Sequence, residues 1–180
     1  MLHSAHPVVS NSIAHNSIAR YHGGMAGSES RLALDRQLCF ALYSASRAFT
    51  NLYRPLLGEL GLTYPQYLVM LVLWERESLT VKELGAALRL DSGTLSPLLK
   101  RLEGSGLVVR RRSAEDERSV AVALTAEGRE LQERARHIPD CMLDATGLEA
   151  EDVLELRSTV ERLTASLDAA AARMEQESAR

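Results

Sequence analysis

The sequence holds two cysteines, Cys39 and Cys141, and they are its candidates for covalent chemistry. A thiol reacts as the thiolate, which is both the nucleophile and the form that oxidises. Cys39 stands in a segment of helical spacing that Asp35 is placed to cap. Its sulfur then falls in the first turn or so, where unpaired amides and the helix dipole favour negative charge. Tyr43, four residues on, shares its helix face. The competing reading is packing, because a free cysteine flanked by Leu38 and Leu42 is commonly a small buried hydrophobe. Cys141 follows Pro139, which interrupts the preceding helix near Ile138, and reads either as a bystander at a helix end or as a second working thiol.

A second constellation is polar and basic. Ser92, Thr94, Ser96, Lys100 and Arg101 fall opposite Leu95, Leu98, Leu99 and Leu102 on one helix. Short hydroxyl side chains can approach base edges or phosphates, and the two cations can meet phosphates. Arg110, Arg111 and Arg112 are consecutive in a strand, so alternate ones project to opposite sides. Asp116 and Arg118 lie in the turn beyond them, where an ion pair can shape the tip or Arg118 can enter a narrow minor groove. Four of the five histidines, His3, His6, His15 and His22, are crowded into the first 30 residues. Their irregular spacing, with no cysteine among them, favours a solvated arm over a metal site. Met25 is a candidate natural start. The sequence calls for no cofactor.

The elements that must position these residues follow from periodicity. Hydrophobic residues make up 46% and aromatics 4%, so the apolar stock is mainly Leu, Ala and Val, of which Leu and Ala favour helices. Leu38, Leu42, Ala45, Phe49, Leu52 and Leu56 repeat at three and four, and Pro55, Gly58 and Gly61 bring that helix to its end. A second helix starts at Thr63-Tyr64-Pro65, is apolar nearly all round through Trp74, and should be the buried centre. Thr80 and Glu83 form a capping box for a short helix ending near Leu88, and Asp91 caps the next. The period then switches: 107–112 and 119–124 read as strands of a hairpin. Helices resume at Thr125 and again from near Glu149 to about Met174. Residues 1–30 are expected to be a disordered arm and 31–180 one domain. Its DNA-binding part spans about 64–124, with helical segments of about 35–60 and 126–176 on either side.

Net charge is −3, so the chain as a whole is no polyanion binder. The charge is divided along it: ten acidic against four basic residues over 140–180, but seven basic against five acidic over 89–118. No apolar run is long enough to span a bilayer, and no secretory signal is apparent. A cytoplasmic protein with reduced thiols is expected. Helix, helix, short helix, helix and hairpin in that order make a mostly α winged helix-turn-helix, whose second paired helix enters the major groove of double-stranded DNA.

The run Leu90-Asp91-Ser92-Gly93-Thr94-Leu95-Ser96-Pro97-Leu98-Leu99-Lys100-Arg101-Leu102-Glu103 resembles the recognition helix of MarR-type repressors. Gly106-Leu107-Val108 through Asp116-Glu117-Arg118-Ser119 resembles their wing. Cys39-Phe40-Ala41-Leu42-Tyr43, Leu60 through Tyr67, and Leu71 through Glu75 are similar to the organic-hydroperoxide-sensing, OhrR-like branch, in its two-cysteine form. The resemblance covers roughly residues 33–175. It implies a homodimer built by the terminal helices, a pseudo-palindromic operator and no enzymatic activity. It further implies that Cys39 is oxidised by an organic hydroperoxide as inducer, that Tyr53 and Tyr64 of the partner subunit support its thiolate, and that Cys141 resolves the oxidised sulfur. A MarR-type repressor answering a small aromatic ligand without thiol chemistry, a thiol peroxidase, and a purely structural helical dimer are the alternatives.

Overall fold

The structure is a computed structural model that describes residues 32–112 and 119–179. The chain divides into two units, Met1–Ser46 and Arg47–Arg180. Ahead of the first α-helix lies a single 3-10 turn, Leu34–Arg36, and helix α1 runs Leu38–Gly58. Asp35 is therefore inside the 3-10 turn and is not the cap of α1. The turn closes through Arg36 N–H to the Ala33 carbonyl and Gln37 N–H to the Leu34 carbonyl, and Gln37 is the residue that flanks α1. Leu38, Leu42, Phe49 and Leu52 of α1 are exposed; Leu57 is buried.

Helix α2, Tyr64–Arg76, is the centre of the second unit. Pro65 sits in its first turn, where its missing N–H would have had no helical partner. The Thr63 amide and hydroxyl both donate to Gln66 Oε1, at 2.8 and 2.9 Å, so this buried amide side chain is satisfied. Val69, Met70 and Leu73 have no exposure at all, as expected of a helix apolar on most sides. Strand β1, Ser78–Thr80, follows, then α3, Val81–Leu88, and α4, Ser92–Gly104. The Thr80–Glu83 capping box is present, with the Glu83 amide donating to Thr80 Oγ1 at 3.2 Å and the Thr80 amide to Glu83 Oε2 at 2.8 Å. Arg89 ends α3 in the left-handed region (φ 55°, ψ 40°), and its guanidinium donates to Asp168 Oδ2 at 2.6 Å. The Asp91 carboxylate caps α4 by accepting from the Thr94 amide at 2.9 Å.

Strands β2, Val108–Arg112, and β3, Val120–Leu124, pair antiparallel from Val108 opposite Leu124 to Arg112 opposite Val120. β1 adds to the free edge of β3, with Leu79 opposite Val122, giving sheet order β1-β3-β2. The wing is thus the outer part of a three-stranded sheet rather than a lone hairpin. A three-residue strand is too short to show a period of two, so β1 was illegible in the sequence.

Helices α5, Ala126–Ala135, α6, Ile138–Thr146, and α7, Ala150–Ser178, complete the chain. The Thr125 hydroxyl caps α5 by accepting from the Gly128 amide at 3.0 Å. Pro139 does not merely interrupt a helix. It occupies the first turn of α6, where a fixed φ assists initiation. Leu57, Tyr67, Met70, Leu73, Leu84, Leu95, Leu99, Leu102, Val122 and Ile138 form the core. Each fully buried leucine contributes about 1.5–3 kcal/mol. No residue of α7 is buried. The architecture is a mostly helical winged helix-turn-helix.

Candidate DNA interface and thiol site

On α4, Leu95, Leu99 and Leu102 are buried, and Ser92, Thr94, Ser96, Lys100 and Arg101 are exposed, the division that the sequence pattern requires. Two of the hydroxyls already have intrahelical acceptors. Thr94 Oγ1 donates to Asp91 Oδ2 at 2.7 Å, and Ser96 Oγ donates to the Ser92 carbonyl at 2.6 Å. The Asp91 carboxyl is held below the usual aspartate range, first by the Thr94 hydroxyl and then by the Thr94 amide. Pro97 inside α4 removes the amide that would reach the Gly93 carbonyl. Gly93 is exposed, so water can satisfy that oxygen, and the helix continues.

Arg111 and Arg112 of β2 are exposed. Arg110 is engaged with α4: its Nε donates to Glu103 Oε2 at 2.9 Å and its Nη2 to the same oxygen at 2.5 Å, while its amide donates to Glu103 Oε1 at 3.3 Å. The guanidinium is therefore a brace between reading helix and wing. Asp116 and Arg118 lie outside the described residues. The Arg110 hydrogen bonds hold the Glu103 carboxyl below the usual glutamate range. Because the folded value is depressed, the brace is present above the ordinary glutamate pKa and is lost as pH falls through the lowered one. Glu103→Gln is expected to free Arg110 for a phosphate. Binding to random DNA should tighten, with the slope of log affinity against log salt steeper by about one. Anisotropy titrations across a salt series on operator and random duplexes would measure this, and an unchanged slope would contradict it.

Cys39 is the second residue of α1 and is exposed. A buried inert thiol is thus not what this chain presents. Tyr43, one turn on, is also exposed. Cys141 is exposed and is the fourth residue of α6, in the helix that Pro139 starts. Tyr53 and Tyr64 are brought together, ring centroids 4.8 Å apart, both half-buried. Two further rings continue the cluster: Tyr67 lies 5.8 Å from Tyr53, and Trp74 lies edge-on 6.0 Å from Tyr67. Burial, and then the neighbouring Tyr64 and Tyr67, push the Tyr53 phenol up to about 12. It is a proton donor at any physiological pH. Tyr67 and Trp74 were missed as members of this cluster, although positions 64, 67 and 74 on one helix share a face by their spacing of three and seven.

An apolar hollow of about 320 Å³ lies between Ala48, Phe49 and Leu52 of α1 and Met142, Ala145, Leu148, Val153 and Leu156. Among the described residues no group of histidine, cysteine and carboxylate side chains could hold a metal, and no helix is long and apolar enough to cross a membrane. The four early histidines are outside the described residues.

Residues 51–135 match the family model for transcriptional regulator SarA/Rot. The chain is 51% identical over 136 residues to the organic hydroperoxide resistance transcriptional regulator of Bacillus subtilis, covering 76% of this chain and 92% of that one. Reduced AbfR bound to DNA, a protein of Staphylococcus epidermidis, is 38% identical with TM-score 0.65, covering 76% of this chain and 96% of that chain. Disulfide-formed AbfR is 33% identical with TM-score 0.55, covering 86% and 99%. These relatives are regulators, not enzymes, which removes the thiol peroxidase. With its helix-turn-helix and wing in place, the chain belongs to the MarR-type winged-helix transcriptional regulators, in the organic-hydroperoxide-resistance, OhrR-like branch.

Proposed function

We propose that this DNA-binding transcriptional regulator is a homodimeric, cytoplasmic repressor that releases its operator when an organic hydroperoxide oxidises Cys39. The observation that carries the reading is an exposed thiol in the first turn of α1, in a chain half identical to an organic hydroperoxide resistance regulator. The first turn offers unpaired amides and a favourable dipole to a thiolate. Tyr53 and Tyr64 of the other protomer donate hydrogen bonds to the sulfur, and the raised value of Tyr53 keeps its proton available. The thiolate attacks the O–O bond, taking one oxygen as sulfenic acid, and the alkoxide leaves and takes a proton from water as the alcohol. The Cys141 thiol of the other protomer then condenses with the sulfenic acid, forming the S–S bond and releasing water.

Exposed apolar side chains on α1 and α7, among them Leu38, Leu52, Leu154, Leu156 and Leu167, support dimerisation through the terminal helices. Two α4 helices then present Ser92, Thr94, Ser96, Lys100 and Arg101 to successive major grooves of a pseudo-palindrome, with Arg112 and the wing alongside. AbfR is the precedent for a relative seen both reduced on DNA and disulfide-formed. The apolar hollow beside Phe49 favours a second reading, a repressor that answers a small aromatic ligand without thiol chemistry.

A gel shift on the protein's own upstream DNA separates the two. Wild type should dissociate with cumene hydroperoxide and rebind after a thiol reductant, whereas Cys39→Ser should stay bound throughout. Cys141→Ser should form no covalent dimer on a non-reducing gel. Equal release of Cys39→Ser would leave the ligand reading as the survivor.

A further inference from the structure

Trp74 closes the aromatic cluster at the end remote from Tyr64, and its edge is not idle. The indole Nε1–H donates to the Gly128 carbonyl at 2.8 Å, across 54 residues of sequence. Gly128 is itself clamped at the root of the wing. Its amide donates to Thr125 Oγ1 at 3.0 Å. The Thr125 amide donates to the Leu107 carbonyl at 3.1 Å, immediately before β2, and the Thr125 hydroxyl donates to the neighbouring Gly106 carbonyl at 2.6 Å. A Cβ on Gly128 would lie 2.1 Å from that same Leu107 oxygen. A glycine packed this closely cannot slide independently of its neighbours. The chain of contact therefore runs Tyr64, Tyr53, Tyr67, Trp74, Gly128, Leu107, with ring centroids 4.8, 5.8 and 6.0 Å apart up to the indole and one hydrogen bond beyond it.

We propose that Trp74 is a positioning residue that links the arrangement of the Tyr53–Tyr64 cluster to the root of the wing through its hydrogen bond to Gly128. This rests on the redox reading above, since the tyrosines are its presumed point of contact with the sensing sulfur. When the phenols rearrange on oxidation, Tyr67 and Trp74 must follow or open a void. Trp74 then drags the Gly128 carbonyl or gives up its bond. Either outcome changes how β2 leaves the reading helix.

Trp74→Phe keeps a ring in the cluster and deletes the N–H donor. Two measurements on the full-length protein separate coupling from sensing. Cys39 oxidation, followed by loss of titratable thiol with cumene hydroperoxide, should run at the wild-type rate. The drop in operator affinity on oxidation should shrink by about three- to tenfold, the scale of one hydrogen bond. Trp74 is the sole tryptophan, so its emission in wild type is a reporter that needs no substitution. It should shift on oxidation, and Cys39→Ser should show no shift. Full wild-type release by Trp74→Phe, or an emission spectrum unmoved when wild type leaves DNA, overturns the link and leaves the redox reading standing. Wild type that keeps its DNA after complete thiol oxidation overturns both. Should Trp74→Phe fail to fold, the emission measurement still decides.

Discussion

Gly128→Ala is expected to lose operator binding and to cost the fold about 3 kcal/mol or more, a drop in melting temperature of roughly 6–12 °C. The added methyl would meet the Leu107 oxygen at 2.1 Å, its carbon at 3.1 Å and Leu124 Cδ2 at 3.2 Å. The first two are backbone, so no rotamer change relieves them. Nor can that carbonyl retreat easily, because the Thr125 amide holds it at 3.1 Å and the Thr125 hydroxyl holds the adjacent Gly106 carbonyl at 2.6 Å. Helix propensity favours alanine over glycine by about 1 kcal/mol, which is too little to offset a clash at this distance. Either α5 or β2 must shift, and β2 carries the wing arginines. A circular dichroism melt and a gel shift read both consequences. A melting temperature within about 2 °C of wild type, the effect of less than about 1 kcal/mol, would show that the site yields.

Gly85→Ala should act on the reading unit more than on stability. Gly85 is buried in α3, and its carbonyl accepts from the Leu90 amide at 2.9 Å. A Cβ there would stand 2.8 Å from the Leu90 carbonyl oxygen and 3.9 Å from Leu95 Cδ2. The turn joining α3 to α4 would have to open, tilting α4 off the angle its leucines set. Operator affinity is expected to fall by at least about tenfold, the effect of roughly 1.4 kcal/mol. The melting temperature should move by only a few degrees. Gly58→Ala, at a helical position where nothing lies within 4 Å, is the control and should be neutral or mildly stabilising. Wild-type affinity in Gly85→Ala would mean that the turn is softer than its contacts indicate.

Both glycines show where sequence reading stopped. What is local was legible. Thr80 with Glu83 and Asp91 with Thr94 are three residues apart, and each fixes a helix start through bonds the spacing alone implies. Leu95, Leu99 and Leu102 repeat at four and three, so the inner face of α4 and its opposing polar face were readable together. The strands of the wing were bounded to within a residue.

What depends on distant partners was not legible. Gly128 looks like an ordinary glycine in a first helical turn until Leu107 is placed beside it. Arg110 reads as a DNA-binding strand cation on the same side as Arg112, and only the approach of β2 to α4 couples it to Glu103. Strand β1 exists because β3 has an edge to offer it. Asp35 reads as a cap because it precedes an apolar period, yet a 3-10 turn absorbs it. Pro139 reads as a break, although a proline at the first helical turn starts a helix as readily as it ends another. For Cys39, residue type and a place in the first turn were readable; its exposure, and the helix that holds Cys141, were not.

Arg89 closes α3 with a left-handed backbone. A non-glycine residue in the left-handed region costs about 1–2 kcal/mol. The ion pair from Arg89 to Asp168 joins side chains 63% and 61% exposed. Such a pair contributes about 0–1 kcal/mol. The two do not balance, so this turn sits at a small net loss that glycine would relieve at once. What the loss maintains is a cation two residues before the cap of the reading helix. Stability and charge compete for that single position, and the chain has settled on charge.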